Sequence, residues 1–332
     1  VKILIVHNPK SGQGDSGLPT FVAALELLRA RVTVRSLEPG SSLIEMLSDA
    51  RDFDRVVAAG GDGTVGGVAH VLAGSGVPIL AYPSGTANWV SKHLGLPSDP
   101  AALALMTVRG NTRILDLGEL EFELDGELDA SRIGFAMGAG AGIDASIMAG
   151  AVALKPSLGI SAYFATGLTA RTTVSSFRLE LDGERFEAEG IGVMIVNIGR
   201  ILELDVIPGT DSADGWLDVA VITARSSVEL VPIFARAIVE RIGLPTFDVS
   251  NQLQVYRARE VRLWADPPLP VQFDGEVLEA TTPITVRVRP GAAVFIVSST
   301  LEDAAPSASE NVVPSTREDA VPSTSTPDET PS

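Results

Sequence analysis

The chain contains no cysteine, which excludes a disulfide framework, a thiolate nucleophile and cysteine-ligated zinc. Histidine is scarce too. His7, His70 and His93 are the whole set, so an imidazole-rich metal centre is not expected, and all three read as structural or exposed. Aromatic residues are 5% of a chain that is 45% hydrophobic, so its core must be packed from Val, Leu, Ile and Ala. Basic residues are outnumbered, 25 Lys and Arg against 42 Asp and Glu, for a formal charge of −17. The last 32 residues carry −6 of that, which leaves −11 on residues 1–300. Nucleic acid needs a basic stripe and an anionic bilayer a polybasic segment, so no nucleic-acid partner and no basic membrane anchor are expected. No apolar run reads as a transmembrane segment: Ile133–Leu154 comes nearest, but it is glycine-rich and carries Asp144. The sequence opens on the strand-like Val1–Val6 with no secretory pattern, and a cytoplasmic location is the expectation.

What is present is a change of rhythm. At 332 residues the chain can bury a full core and is expected to hold two domains. Over residues 1–110, strands at Lys2–Val6, Val32–Leu37, Arg55–Ala59 and Val77–Ala81 alternate with helices at Leu18–Arg31, Ser42–Ala50, Thr64–Ala73, Thr86–His93 and Ala101–Val108. Such alternation predicts βαβ units and a parallel sheet with helices on both faces. From Arg113 strands dominate: Arg113–Leu117, Glu119–Leu124, Arg132–Ala139, Ser176–Leu181, Arg185–Ile198, Leu217–Ile222, Gln254–Ala265, Val271–Phe273 and Ile284–Val297. Hairpin turns are expected at Asp125-Gly126, Asp182-Gly183 and Asp274-Gly275, and helical stretches at Ile143–Arg171 and Ser227–Arg241. The fold class is therefore α/β plus β, a doubly wound nucleotide-binding domain followed by an antiparallel β domain. The expected bounds are 1–118 for the first domain, with a segment at about 294–300 able to return to it, and 119–293 for the second. Residues 301–332 are Ser/Thr/Pro/acid-rich, with the imperfect repeat Val313–Thr316 and Val321–Thr324, and are expected to be disordered.

The most informative stretch is Gly60-Gly61-Asp62-Gly63-Thr64. An apolar strand ends in glycines and a helix starts at once, so backbone N–H groups and the helix N-terminus can meet an anion. A carboxylate inside such a cradle makes sense if a divalent cation sits between it and a phosphate; the rival is an ordinary βα turn. The first loop, Asn8–Gly17, contains Gly12, Gly14 and Gly17 in a GxGxxG spacing, with Glu38 at the end of the next strand. His7 to Ser11 intervene between strand and first glycine, which counts against a dinucleotide fingerprint, and the P-loop pattern is absent. A third loop, Pro83-Ser84-Gly85-Thr86-Ala87-Asn88, also ends a strand and opens a helix. Three such loops converge where open α/β sheets bind ligands.

The set NPKSG, GGDGT, PSGTAN, Asp214–Val219 and a late Asp274-Gly275-Glu276 resembles the diacylglycerol kinase catalytic-domain family, which includes bacterial lipid kinases, sphingosine kinases and ceramide kinases. The segments Gly142–Ala145, Leu154-Lys155, Gly159, Ala162-Tyr163 and Val196-Asn197 are similar as well, so the likeness runs from about Val1 to Ser299. It implies a nucleotide-binding α/β domain, a β-sandwich-like domain and an active site in the cleft between them. It implies that Asn8, Pro9, Lys10, Ser11 and Gly12 contact the nucleotide. It also implies that Gly60, Gly61, Asp62, Gly63, Thr64, Gly66 and Gly67 cradle phosphates, and that Ser84, Gly85, Thr86 and Asn88 complete the pocket. Asp62 would lie near Mg²⁺. Asp214, with main-chain oxygens of Asp211 and Trp216, would form a second, structural Mg²⁺ site. Glu276 would be the general base toward a lipid hydroxyl, with ATP and Mg²⁺ as cofactors and phospholipid metabolism as the setting. Asp-Gly-Glu also occurs at Asp125–Glu127 and Asp182–Glu184; late position and the preceding Val271-Gln272-Phe273 select the third copy.

The chain departs from the family pattern at Gly66 and Gly67, where most members carry Asn-Glu, and at Trp89, where many carry Asp. These changes remove polar contacts near the nucleotide and keep a catalytically silent relative in view; NAD kinase, which shares GGDGT, is the other alternative. The expected partner is a membrane lipid reached by transient peripheral contact, with Met148, Leu158, Ile160, Tyr163 and Phe164 as the candidate lipid side and core packing as their rival role. A homodimer is the one protein partnership the sequence leaves open. The stripe Val228, Val231, Phe234, Ala235, Ile238, Ile242 reads as core, with Pro232 able to start or kink its helix.

Overall fold

A computed structural model describes residues 1–11, 17–123, 131–142, 173–198, 200, 201, 204, 205, 207, 210–232, 235, 236, 239, 249 and 251–298. The first half runs β1 (Lys2–His7), α1 (Leu18–Leu27), β2 (Arg31–Ser36), α2 (Leu43–Met46), β3 (Arg55–Gly60), α3 (Asp62–Val71), β4 (Pro78–Pro83), α4 (Trp89–His93), α5 (Pro100–Arg109) and β5 (Asn111–Phe122). Strands β2-β1-β3-β4 lie side by side and parallel. Strands β1, β3 and β4 are apolar through their centres because both sheet faces are covered. On one face Phe21, Leu25, Leu103 and Ala104 of α1 and α5 pack on Ile3, Ile5, Val57 and Leu80. On the other, Val65, Val68, Ala69 and Val90 of α3 and α4 pack on Leu4, Val6, Val56 and Ile79. So α1 and α3 leave neighbouring strands toward opposite faces, and the β1/β3 junction is a topological switch point, where such sheets open a crevice.

The second half comprises β6 (Ser131–Phe135), β7 (Gly138–Gly142), β8 (Ser175–Leu181), β9 (Glu184–Gly190), β10 (Gly192–Val196) and a small ribbon of β11 (Arg200–Ile201) with β12 (Leu204–Asp205). It continues through β13 (Leu217–Ile222), β14 (Leu253–Ala258), β15 (Glu260–Asp266), β16 (Pro270–Phe273), β17 (Glu276–Thr281) and β18 (Ile284–Val297). One six-stranded sheet has the order β14-β13-β10-β7-β16-β17. It faces β5, β6, β8, β15 and β18 across a core that includes Leu120, Phe135, Leu179, Val193, Val219, Leu263 and Val286. The architecture is thus a parallel α/β layer joined to an antiparallel β-sandwich, as the sequence rhythm predicts.

The join is covalent and hydrogen-bonded at once. Strand β5 pairs with β18 antiparallel along nearly its whole length, from Phe122–Ile284 to Asn111–Val297. Before Pro290, β18 also pairs with β15; after it, Val294 and Phe295 pair parallel with Pro78 and Ile79 of β4. The change of neighbour falls at an irregularity between Arg289 and Ala293, opposite Asp116. Pro290 cannot donate to a ladder, which suits it to a bulge. The Asp116 side chain sits in the gap, 2% exposed, and accepts the N–H of Gly291 at 2.7 Å and of Gly215 at 2.6 Å.

Several elements differ from the sequence expectation for physical reasons. The strands expected on either side of Gly118 are one strand, because Gly118 lies under the Phe135 ring, where a side chain would collide. The strand expected over 254–265 is two: it breaks at Arg259, where the Asp182 carboxylate takes the N–H of Arg259 and of Glu260, and the chain crosses between sheets. The stretch 185–198 likewise splits at Ile191 into β9 and β10. The helix expected over 42–50 is shortened to α2, followed by a 3₁₀ turn at Ala50–Asp52. Of the expected helix at 227–241, a 3₁₀ turn at Ser227–Leu230 is followed by helical backbone at 231, 232, 235, 236 and 239, and Val228 and Val231 of its apolar stripe are exposed. Phe234, Ile238 and Ile242, the Asp125-Gly126 turn, the stretch 143–171 with its lipid-side candidates, and residues 301–332 lie outside the described residues. Replacing Asp116 by Ala removes the acceptor of two N–H groups, which predicts a loss of about 1–3 kcal/mol, read as a lower urea midpoint at unchanged m-value.

Candidate active site

The loops after β1, β3 and β4 meet at the switch point. The Asn8 N–H donates to Ala59 O at 2.8 Å, and Asn8 Nδ2 donates to Thr64 Oγ1 at 3.0 Å, which ties the first loop to α3. Asn8 Oδ1 accepts from the Lys10 N–H, and the Ser11 N–H donates to Asn8 O. That closes a turn with Pro9 and Lys10 exposed and Ser11 beside Gly61. Gly60 leaves room for the Thr64 side chain. Gly61 and Gly85 approach so closely that a Cβ on Gly85 would stand 2.5 Å from Gly61 Cα. The helix expected from Thr86 starts instead at Trp89. Asn88 adopts φ 52° and closes a turn on Gly85, accepting its N–H at 2.7 Å and donating to its C=O at 2.8 Å. Thr86 is left exposed, and the Ser84 hydroxyl is buried without a hydrogen-bond partner. Gly12 lies outside the described residues.

Asp62 opens α3 and is 9% exposed. Its Oδ1 accepts the Val90 N–H at 2.9 Å, so the carboxylate sits between the N-termini of α3 and α4. Burial nevertheless pushes its pKa up; the N–H groups of Val90 and Trp89 pull the other way. Such a carboxylate gains from a proton or from a cation.

The DGE turn comes to the same helix from the other half of the molecule. Asp274 and Gly275 adopt φ 42° and 86° in the β16–β17 hairpin, as the sequence predicts. The Asp274 carboxylate accepts the N–H of Ala136 at 2.8 Å, of Met137 at 2.8 Å and of Gly138 at 3.1 Å. It lies against α3, where a Cβ on Gly66 would stand 2.5 Å from its Oδ2. Glu276, exposed, lays its carboxylate over Gly63, where it would have to shift to admit a side chain. Gly67 faces Leu43 of α2 in the same tight way. Gly66 is therefore a packing requirement of this chain, because the carboxylate over it is held in place by three N–H groups. Burial is the main reason that the Asp274 carboxyl is pushed up to about 7, against its three N–H donors and with the Asp62 charge adding to the rise.

The structure thus brings Asn8, Ser11, Gly61, Asp62, Gly63, Thr64, Gly85 and Glu276 to one place. Asp211, Asp214 and Trp216 lie on another loop, linked to the site through α4: Ser212 Oγ is 3.1 Å from His93 Nε2 at the end of α4, whose start holds Asp62. The sequence reading had no role for Asp116 or Arg257, took His93 as structural or exposed, and had Asp274 only as part of the late turn motif. Asn197 entered it only as part of a motif. Its Nδ2 donates to Asp116 O and to Ala136 O, both at 2.9 Å, and so braces the turn that holds Asp274. A buried polar residue inside an apolar strand, such as Asp116 in Ile114–Leu117, was the available signal.

The two expected metal positions differ in fit. Among the described residues no group of three or more Cys, His, Asp or Glu side chains is arranged to hold a metal ion. The α3 end nonetheless suits a Mg²⁺ that arrives on a phosphate. Asp62 supplies one buried carboxylate, and the glycine floor leaves room for the anion; Mg²⁺ commonly binds through one or two carboxylates, phosphate oxygens and water. The Asp211–Trp216 loop does not fit a metal. Asp214 Oδ1 accepts the Trp216 N–H at 3.0 Å and Oδ2 pairs with Arg257, while Asp211 pairs with Arg113 at 3.0 Å.

Comparison with known proteins agrees with this fold. Residues 2–120 match the family model described as the diacylglycerol kinase catalytic domain, and residues 138–297 match the YegS C-terminal NAD kinase beta sandwich-like domain. A Pseudomonas aeruginosa PAO1 protein named "Probable lipid kinase YegS-like" is 30% identical over 300 residues, covering 88% of this chain and 92% of its own. The chain belongs to the diacylglycerol kinase catalytic-domain family. Membership makes it a kinase-type transferase of the lipid kinase group. A protein named diacylglycerol kinase from Mycobacterium tuberculosis H37Rv is 28% identical over 245 residues, covering 70% of this chain and 77% of its own. A crystal structure of a diacylglycerol kinase from Bacillus anthracis has the same fold, with TM-score 0.64 at 21% identity over 90% of this chain and 97% of that one. No helix of the described residues is long and apolar enough to cross a membrane.

Two predictions follow from the Asp274 seat. A carboxyl whose pKa is raised on folding stabilises the fold below its unfolded pKa, near 4, and that contribution is lost as pH rises through about 7. The melting temperature of wild type relative to Asp274→Asn should therefore fall steadily between about pH 4 and pH 7; a flat difference would contradict the raised pKa. Gly66→Ala should cost about 1–3 kcal/mol by overpacking, read by denaturant titration.

Proposed function

We propose that this chain is an ATP- and Mg²⁺-dependent lipid kinase that transfers the γ-phosphoryl group of ATP to a lipid hydroxyl, diacylglycerol being the leading acceptor. One observation carries the reading: the Glu276 carboxylate, from the sandwich, lies over Gly63 at the start of α3, beside Asp62. A base candidate thus faces an anion cradle across the interdomain cleft. Phosphoryl transfer asks a protein mainly to position the reactants and to neutralise charge, and these residues can do both. The backbone of Gly61–Thr64 binds phosphate oxygens, with Asn8 and Ser11 fixing the loop beside them. Asp62 would hold Mg²⁺, which when bound supplies charge neutralisation on the phosphates. Glu276 accepts the proton of the acceptor hydroxyl while that oxygen forms its bond to the γ-phosphorus. The bond from phosphorus to the bridging oxygen breaks, and ADP leaves with the electron pair.

The acceptor is expected at the membrane, by transient contact, in a cytoplasmic setting. With a formal charge of −11 on residues 1–300, that contact would rest on apolar side chains or on cation bridging, and exposed Leu27, Ile44 and Leu105 show that apolar groups do reach the surface. The test is transfer of label from γ-labelled ATP, with Mg²⁺, to diacylglycerol, phosphatidylglycerol, ceramide, sphingosine and NAD in mixed micelles. Wild type should label diacylglycerol, and Glu276→Gln should lose about 10²–10⁴-fold in rate while keeping its melting temperature, because Glu276 is exposed. Labelled NAD would replace the lipid reading with an NAD kinase. Nucleotide binding without transfer to any acceptor would favour the silent relative. Undiminished transfer by Glu276→Gln would remove Glu276 as the base.

A further inference from the structure

The loop Asp211–Trp216 and the start of β13 gather three carboxylates: Asp211, Asp214 and Asp218. Two guanidinium groups pair with them, and a third lies over the neighbouring Trp216 ring. Arg113, on β5, pairs with Asp211 at 3.0 Å. Arg257, on β14, pairs with Asp214 through Nη2 and stands 3.3 Å from Asp218 through Nε, so one cation bridges both acids. Arg259 lies over the Trp216 ring, 4.5 Å from its centroid, and Arg257 flanks the same ring at 5.9 Å. The remaining Asp214 oxygen accepts the Trp216 N–H, and Asp211 Oδ1 also accepts the Ala213 N–H at 3.1 Å. Two hydrogen bonds to Asp116 complete the hold: the Gly215 N–H donates to Asp116 Oδ2 at 2.6 Å, and the Asp116 N–H donates to Ser212 O at 2.7 Å. Arg113 and Arg257 thus engage all three acids, Arg257 serving two of them. A dication placed here would have to displace a guanidinium from an acid that already has its partners, and would then face that unpaired cation a few ångströms away.

We propose that Arg257, seconded by Arg113, takes the place of the structural Mg²⁺ in this chain: it bridges Asp214 and Asp218 and fixes the Asp211–Trp216 loop without metal. A guanidinium is suited to the exchange because it is always charged, planar and able to meet two acids at once. The loop so held keeps Ser212 at His93 and thereby steadies α4, whose first turn carries the N–H that Asp62 accepts. The inference concerns the loop alone and does not depend on phosphoryl transfer, so it stands or falls apart from the kinase reading.

The experiment uses the full chain and terbium(III) as the probe, since an ion bound at Asp214 would be next to Trp216 and its emission would be sensitised by that ring. Wild type should give no terbium emission that Trp216→Phe removes. Arg257→Gln, which frees both acids, should gain such emission and melt roughly 3 °C lower in EDTA. Arg257→Lys keeps the charge and should stay without Trp216-dependent emission, which serves if the Gln variant does not fold. Trp216-dependent emission from wild type would overturn the proposal, as would an Arg257→Gln protein that melts like wild type and gains no terbium site.

Discussion

The antiparallel pairing of β5 with β18 is the interaction on which the rest of the molecule depends. Each strand belongs to both halves, so the relation between nucleotide layer and sandwich is fixed by a ladder of backbone hydrogen bonds rather than by a flexible linker. The ten-stranded sheet they share is parallel in one half and antiparallel in the other, and a regular ladder could not make that change. The irregularity at Pro290–Ala292 lets β18 exchange an antiparallel neighbour, β15, for a parallel one, β4. That break exposes the Gly291 N–H, and Asp116 on the facing strand accepts it. Because the same carboxylate also takes the Gly215 N–H, a defect in the sheet becomes the anchor of a loop that reaches toward α4. Burying a carboxylate is costly unless it is hydrogen-bonded, and here the bonds that offset the cost are the ones that hold the halves in register.

The site inherits that rigidity. Glu276 is on a hairpin of one half and Gly63 on a helix of the other, and nothing in either element alone would bring them together. What fixes their distance is the path from Asn197 to the Ala136–Gly138 turn, to Asp274, to Gly66. Asn197 braces the turn, the turn's three N–H groups hold Asp274, and Asp274 rests on α3 two residues before the base candidate. The cost of this arrangement is electrostatic. The Asp62 charge adds to the rise of the Asp274 pKa, in an acidic protein, at the place where the proposed nucleotide, itself anionic, would bind. A site of that charge favours a cation accompanying the anion, and the buried Asp62 is aimed where such a cation would neutralise it.

Much of this was legible in the sequence, and the limits have physical causes. Parallel strands buried on both faces read as apolar runs, and the three loops at their ends read as glycine-rich turns, so the α/β half and its crevice were visible. The DGE turn was visible as a hairpin because Asp-Gly tolerates positive φ. The sheet crossings at Ile191 and Arg259 were not visible, because a strand that changes sheets keeps its alternation on either side of the break. The path through Asp116, Asn197 and Asp274 was hidden for a different reason. Each contact joins residues far apart in the chain, and a lone polar residue in a strand carries no mark of which distant N–H it will accept. Arg257 is the sharpest case: on the sequence it is one more charge on an exposed strand edge, and only the pairing of β14 with β13 sets it beside Asp214 and Asp218.

The glycines after GGDGT change meaning under the same logic. Taken against the family pattern, Gly66 and Gly67 are lost polar contacts and suggest a weakened enzyme. In the folded chain Gly66 is the floor on which Asp274 lies, and a larger residue there would push the DGE turn, and with it Glu276, away from Gly63. The substitution is therefore half of a pairwise adjustment between the two halves of the cleft, and it gives no ground by itself for reading the chain as silent. The two departures share a form: at α3 a lost side chain makes room for a carboxylate, and at Asp214 a guanidinium stands where a metal was expected. In both, the position of one residue is set by a charge from a distant strand.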